Sequence, residues 1–164
     1  MLRYLLPIQL IAATTFAAEP AMKPEFNYTL FIAKPAQDVW NALTRKEMID
    51  RYYMAPLATL ELKKGGKIAY GTKDSELISG IITEIDEPKK LSHTFHFAGS
   101  EDPDTTVTYE IKAIGDAMCS LRITHSGFAI ENQTYADISG GWPGIASSLK
   151  TVLETGKPLP WPKK

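Results

Sequence analysis

The sequence predicts an α+β domain: a curved antiparallel sheet of about seven strands, with two short helices after the first strand, wrapped around one long C-terminal helix. Three observations carry this. Between Glu131 and Gly156, apolar residues recur at spacings of three and four, the period of a helix with one buried face. From Leu57 to Ser126, short apolar runs alternate with period two and are broken by Gly, Pro and Asp turns. The alternation leaves one face of each strand polar and the other apolar, so the sheet is covered on one side only. The long helix is the natural cover.

The first strand is Phe26 to Ala33, aromatic and β-branched. Pro35 suits a helix start, and Val39, Trp40 and Leu43 give that helix an apolar stripe. Thr44 with Glu47 three residues later has the form of a capping box, which restarts a helix carrying Met48, Ile49 and Tyr52; Pro56 ends it. Strands follow at Leu57–Lys63, Lys67–Thr72, Glu76–Asp86, Leu91–Ala98, Thr105–Ile114 and Met118–Ser126. Lys64-Gly65-Gly66 joins the first two of these as a hairpin turn. Trp142, Ile145, Leu149, Val152 and Leu153 share one face of the final helix. Gly156 supplies its left-handed end and Pro158 stops it resuming. Its start has two options, at Pro143 or a turn earlier near Tyr135, Ala136 and Ile138.

At 164 residues the chain holds one domain with a real core. Its composition is that of a soluble globular protein, 44% hydrophobic and 23% charged, and a net charge of −1 gives no electrostatic case for nucleic acid. Cys119 is the single cysteine, so no internal disulfide forms; on a strand it reads as a buried, inert thiol. The N-terminus has another character. Arg3 precedes an uncharged, mostly apolar run from Tyr4 to Phe16, with small residues at Thr15 and Ala17. That is the pattern of a secretory signal peptide spanning residues 1–17, and the run is too short to span a bilayer comfortably. The expected organisation is signal, leader over 18–25, domain over 26–156 and polar tail over 157–164. The mature chain is then exported, periplasmic or secreted, with no stable membrane insertion.

The motifs now converge on a family. Pro35-Ala36 with Val39-Trp40 and Leu43-Thr44, then Gly65-Gly66, then Gly80 with Glu84-Ile85-Asp86 and Pro88, are followed by Thr124-His125-Ser126-Gly127-Phe128 and Gly141-Trp142. In this order and spacing the chain resembles the SRPBCC superfamily, the START-like or helix-grip proteins. Within it, the chain is most similar to the family named for the C-terminal domain of the activator of the 90-kDa heat-shock protein ATPase. The resemblance spans Phe26 to Gly156. It implies the helix-grip fold with a cavity between sheet and C-terminal helix. It does not by itself imply an activity, because the fold hosts ligand carriers, cyclases, hydrolases and co-chaperone domains. Two departures stand out: Arg51-Tyr52-Tyr53 replaces a Trp usual in such families, and Pro143 follows Gly141-Trp142 directly, where it would kink or shorten the helix.

Mapped onto this chain, the cavity would be lined by Tyr70, His93, Phe95, Phe97, Tyr109, Leu121, Ile123, His125 and Trp142, with Trp40 and Tyr52 or Tyr53 nearer its mouth. Tyr109, His93 and His125 lie on otherwise apolar strand faces, and each needs a hydrogen-bond partner when buried. Either each histidine hydrogen-bonds a neighbour inside the core, or one or both point into the cavity and orient a polar ligand group or act as acid–base. His96 falls on the opposite, solvated face. The three histidines therefore make no metal set, and no phosphate-cradling loop or nucleophile elbow is present, so no metal or cofactor is expected.

Three functions follow as expectations. The first is binding of a small hydrophobic or amphipathic molecule without catalysis. Burying ~200 Å² of ligand at about 25 cal/mol per Å² is worth roughly 5 kcal/mol before entropy costs. The second is a cyclase- or hydrolase-type enzyme with His93 or His125 as acid–base. The third is a chaperone-associated module like the family's namesake.

Overall fold

The computed structural model describes residues 23–160. The sequence-predicted signal segment and the last residues of the tail lie outside them. The elements run β1 (Phe26–Ile32), α1 (Ala36–Thr44), α2 (Lys46–Tyr52), β2 (Leu57–Leu60), β3 (Lys67–Gly71), β4 (Glu76–Asp86), β5 (Lys90–Phe97), β6 (Thr105–Ala113), β7 (Cys119–Ser126) and α3 (Gln133–Thr155). The strands form one antiparallel sheet in the order β1-β7-β6-β5-β4-β3-β2. Strands β2 to β7 thus meander, each pairing with the next, and β1 closes onto β7 with Leu30 opposite Leu121 and Ile32 opposite Cys119. Helix α3 crosses the inner face against β1 and α2, while α1 packs on β6.

The period-two alternation holds through the sheet. Leu91, His93 and Phe95 of β5, Val107, Tyr109 and Ile111 of β6, and Cys119, Leu121, Ile123 and His125 of β7 are all buried on the inner face. The outer face pairs its polar groups: Ser92 Oγ lies 2.6 Å from Thr108 Oγ1, and His96 Nδ1 lies 3.1 Å from Asp104 Oδ1.

Two local expectations are corrected, and the open start of the last helix is resolved. Strand β2 stops at Leu60 and not at Lys63. From Glu61 the chain folds tightly back, so that a Cβ on Gly66 would sit 2.0 Å from the Glu61 carbonyl oxygen. Gly65 N–H then donates to Ile82 on β4, which gives the turn a different partner from the ladder. The capping box does not form. Thr44 ends α1, where its hydroxyl donates to the Trp40 carbonyl at 2.8 Å, and Arg45 precedes α2 without a side-chain cap. Of the two possible starts, α3 takes the earlier. Asn132 Oδ1 accepts from Tyr135 N–H at 2.9 Å. Asp102 Oδ2, from the β5–β6 loop, accepts from both Thr134 N–H at 3.0 Å and Thr134 Oγ1 at 2.7 Å. These carboxylate and amide oxygens satisfy orphan donors of the first turn. The helix runs unbroken through Pro143 to Gly156, whose φ of 75° is the left-handed stop.

Candidate functional site

One end of α3 stands off the sheet and leaves a cleft. The cause is in the helix sequence. Gly140, Gly141 and Gly144 present no side chain toward α2, and a Cβ built on Gly140 or Gly141 would meet nothing within 4 Å. The gap of about 420 Å³ between this glycine face and Tyr52, Tyr53 and Met54 is the outer part. An adjoining part of about 330 Å³ runs under α3 toward β4 and β5. There Ile78, Phe95 and Phe97 form the sheet wall, Ile138, Trp142 and Ile145 the helix wall, and Asp137 the one charged lining group. Tyr53, Met54, Gly141 and Ile145 line both parts.

Aromatic rings continue inward from the cleft. Tyr53 stacks on Tyr70 with centroids 4.2 Å apart and meets Trp142 edge-on at 6.4 Å. Trp142 meets Tyr109 edge-on at 6.0 Å, and Tyr109 lies 6.0 Å from the His93 ring. Burial pushes the Tyr52, Tyr53, Tyr70 and Tyr109 phenols up, and the charge on Tyr70 would raise each of the other three further. They are neutral donors and acceptors at any physiological pH.

The two buried histidines occupy one cross-strand row, with Val107 between them. His125 is fully committed. Indole N–H can only donate, so Trp142 Nε1 donates to His125 Nδ1 at 3.1 Å. The proton is therefore on Nε2, which donates to Thr105 Oγ1 at 2.7 Å, and that hydroxyl donates to the Phe95 carbonyl at 3.3 Å. His93 is half committed. Its Nδ1 donates to the Thr94 carbonyl at 2.7 Å, while Nε2 is buried without a partner. Burial is the main cause that holds His93 down to about 4, so it is neutral. His125 is held down to about 3, by burial and then by the neighbouring His93.

The sequence-predicted residues therefore separate. Tyr52, Phe95, Phe97 and Trp142 line the cleft. Tyr70, Tyr109 and His93 form the next layer inward. Leu121, Ile123 and His125 are buried on β7, and Trp40, 1% exposed, is in the core beneath α1. Sequence reasoning had not placed Met54, Ile78, Asp137, Ile138, Ile145 or the glycines Gly140, Gly141 and Gly144 at the site. The glycines were detectable, because glycine inside an apolar helical pattern lowers helix stability and asks for a reason. Among the described residues, no three His, Cys, Asp or Glu side chains gather as metal ligands, and no helix is long and apolar enough to cross a membrane.

A seven-stranded sheet gripping a long C-terminal helix, with a cleft between them, defines the START-like helix-grip class. The family model described as "Activator of Hsp90 ATPase homolog 1-like protein" matches residues 33–154. The chain belongs to that family. CalU16 from Micromonospora echinospora is similar in fold, with TM-score 0.68 and 24% identity over 83% of this chain and 77% of that one. The Aha1 dimer from Colwellia psychrerythraea gives TM-score 0.69 and 17% identity over 82% and 98%. An HSP90 activator from Plasmodium falciparum gives 0.66 and 24% over 79% and 95%. At these identities the likeness is one of fold. No curated protein matches significantly.

Proposed function

We propose that the chain binds a small hydrophobic or amphipathic molecule in the cleft between α3 and the β4–β5 end of the sheet. The glycine face of α3 is the observation that carries this. Glycine in a helix interior costs about 1 kcal/mol relative to alanine. Here no close contact demands it, since a Cβ at Gly140 or Gly141 meets open space. What the missing side chains leave is room, walled by Phe95, Phe97, Trp142 and Ile145. Volumes of about 330 and 420 Å³ fall within the span of small-molecule sites, and an apolar wall with few polar groups is their usual chemistry.

The test is a titration with the uncharged fluorophore N-phenyl-naphthylamine, using the native chain and Gly141→Leu. The native chain should saturate at one equivalent. The leucine should weaken binding at least tenfold while leaving the melting temperature unchanged or higher. Equal binding by both, or none by either, would contradict the proposal. We keep export as part of it: an N-terminus at Ala18 in the protein isolated from its host is the corresponding check.

A second function has the family match behind it, together with the fold shared with an HSP90 activator. It predicts that the chain stimulates the Hsp90 ATPase. Stimulation that survives Gly141→Leu would assign that activity to the outer surface and not to the cleft.

A further inference from the structure

Along the N-terminal half of α3 the cleft carries charge of one sign. Asp137, Gly141 and Ile145 are spaced by four and line the same part of it. Gly141 has no side chain, so nothing in that row fills the turn between the carboxylate and Ile145. Helical side chains lean toward the N-terminus of their helix. Asp137 does so here: its Oδ1 accepts from Gln133 Nε2 at 2.9 Å, one turn back. The residue is exposed and borders the space walled by Phe95 and Phe97 on the sheet and by Trp142 and Ile145 on the helix. A ligand group can therefore reach the carboxylate from solvent and from the cleft.

No base in the surrounding chain offsets it. Among the described residues, no Lys, Arg or His lines either part of the cleft. Gly127 to Leu149, which includes more than half of α3, contains none of the three and carries Glu131 and Asp137. Ala98 to Glu110, which includes the β5–β6 loop, contains none either; it carries Glu101 and Asp102, besides Asp104, which faces His96. The Asp102 bonds to Thr134 hold these two base-free segments together at the start of α3. A helix start can receive an anion, but here Thr134 N–H is already held by Asp102 and Tyr135 N–H by Asn132.

Resting on the cleft binding proposed above, we propose that the ligand is an apolar amine, with its hydrophobic body along the Gly141 gap and its ammonium head at the Asp137 carboxylate. Gln133 takes Oδ1, and Oδ2 is the acceptor for the ammonium N–H. A hydrogen bond between two charged partners is stronger than one to a neutral hydroxyl, so an amine outbinds the matching alcohol. An anionic head would meet a like charge with no base to offset it. The rings of Tyr53, Phe95, Phe97 and Trp142 line the same space and attract a cation through their faces. One carboxylate in the lining matches one positive charge on the ligand.

Naphthylmethylamine, naphthalenemethanol and naphthoate share one ring system and differ in charge. Each is titrated into the full chain, Asp137→Asn and Gly141→Leu. The native chain should bind the amine about fivefold more tightly than the alcohol, and about tenfold or more tightly than the carboxylate. Asp137→Asn keeps the shape and an acceptor for Gln133, and should bring the three within about twofold of one another. Gly141→Leu should weaken all three together. In the native chain the ¹³Cγ resonance of Asp137 should move with the amine and stay with the alcohol. No movement with the amine would overturn the pairing, and that measurement decides alone if Asp137→Asn fails to fold. Equal affinity of the native chain for all three would overturn the amine class and leave the cleft. A preference for the amine that persists in folded Asp137→Asn would overturn the role of Asp137. Binding of none of them would overturn the class alone if N-phenyl-naphthylamine still binds, and the cleft with it if that probe fails too.

Discussion

Two histidines share one row of the sheet and are both almost fully buried, yet they are held in opposite ways. His125 ties β7 to α3 through Trp142, and to β6 and β5 through Thr105 and the Phe95 carbonyl. Each ring nitrogen has a partner, and the bonds join four elements. His93 bonds only within its own strand and keeps one nitrogen open. The first end of the row is a lock between helix and sheet. The second is a buried ring with one nitrogen left unpaired. The difference teaches that a histidine on an apolar strand face is defined by what the opposing layer offers it: Trp142 donates to one, and nothing described reaches the other.

The largest expected effect breaks the lock. His125→Ala leaves a buried indole N–H without its acceptor, takes one partner from Thr105, and opens a cavity. It should cost about 3 kcal/mol or more in urea unfolding. Loss of less than about 1 kcal/mol would mean that the network is ornamental.

Next is pH. An unfolded histidine titrates near 6.5, and both folded histidines titrate lower, at about 4 and about 3. Below pH 6.5 the unfolded state therefore binds more protons, and stability rises with pH. The contribution is complete above about pH 6.5 and is lost as pH falls toward the folded values. Between pH 7 and pH 5 each histidine should remove about 2 kcal/mol. Urea titrations across this range should show a drop that falls by roughly half in His93→Leu. An unchanged drop in that variant would contradict the burial argument for His93.

The helix start gives a smaller effect. Asp102 caps α3 from outside the helix, and its two bonds to Thr134 hold its carboxyl below the usual range. Asp102→Ala should lower the urea midpoint measurably, and by less than His125→Ala does. The smallest effect separates the two histidines most sharply: His93→Leu removes an unpaired buried acceptor along with one bond, and its stability at pH 7 should stay within about 1 kcal/mol of the native chain. Equal losses in His93→Leu and His125→Ala would erase the contrast between them.

Much of the fold was legible in the sequence because period-two patterning is dense here. The β4 limits, Glu76–Asp86, agree at both ends, and the stop of α3 at Gly156 follows from its glycine. The start of α3 was ambiguous because half of its cap, Asp102, comes from another loop. Thr44 misled because its hydroxyl turned back to its own helix. At the site, Phe95, Phe97, Trp142 and Tyr52 were readable as inward-facing aromatics. Met54 and the α3 glycines were not, since periodicity registers side chains and a cleft is made by their absence. His93 and His125 read identically in sequence. Their separation depends on a donor that only the packed helix brings.

The most direct measurement of the central claim, that the cleft holds a small molecule, is native mass spectrometry of the chain isolated from its host, alongside Gly141→Leu prepared the same way. The predicted result is an extra mass at one per chain that disappears on denaturation and is missing from the variant. The same added mass on both proteins, or on neither, would contradict it.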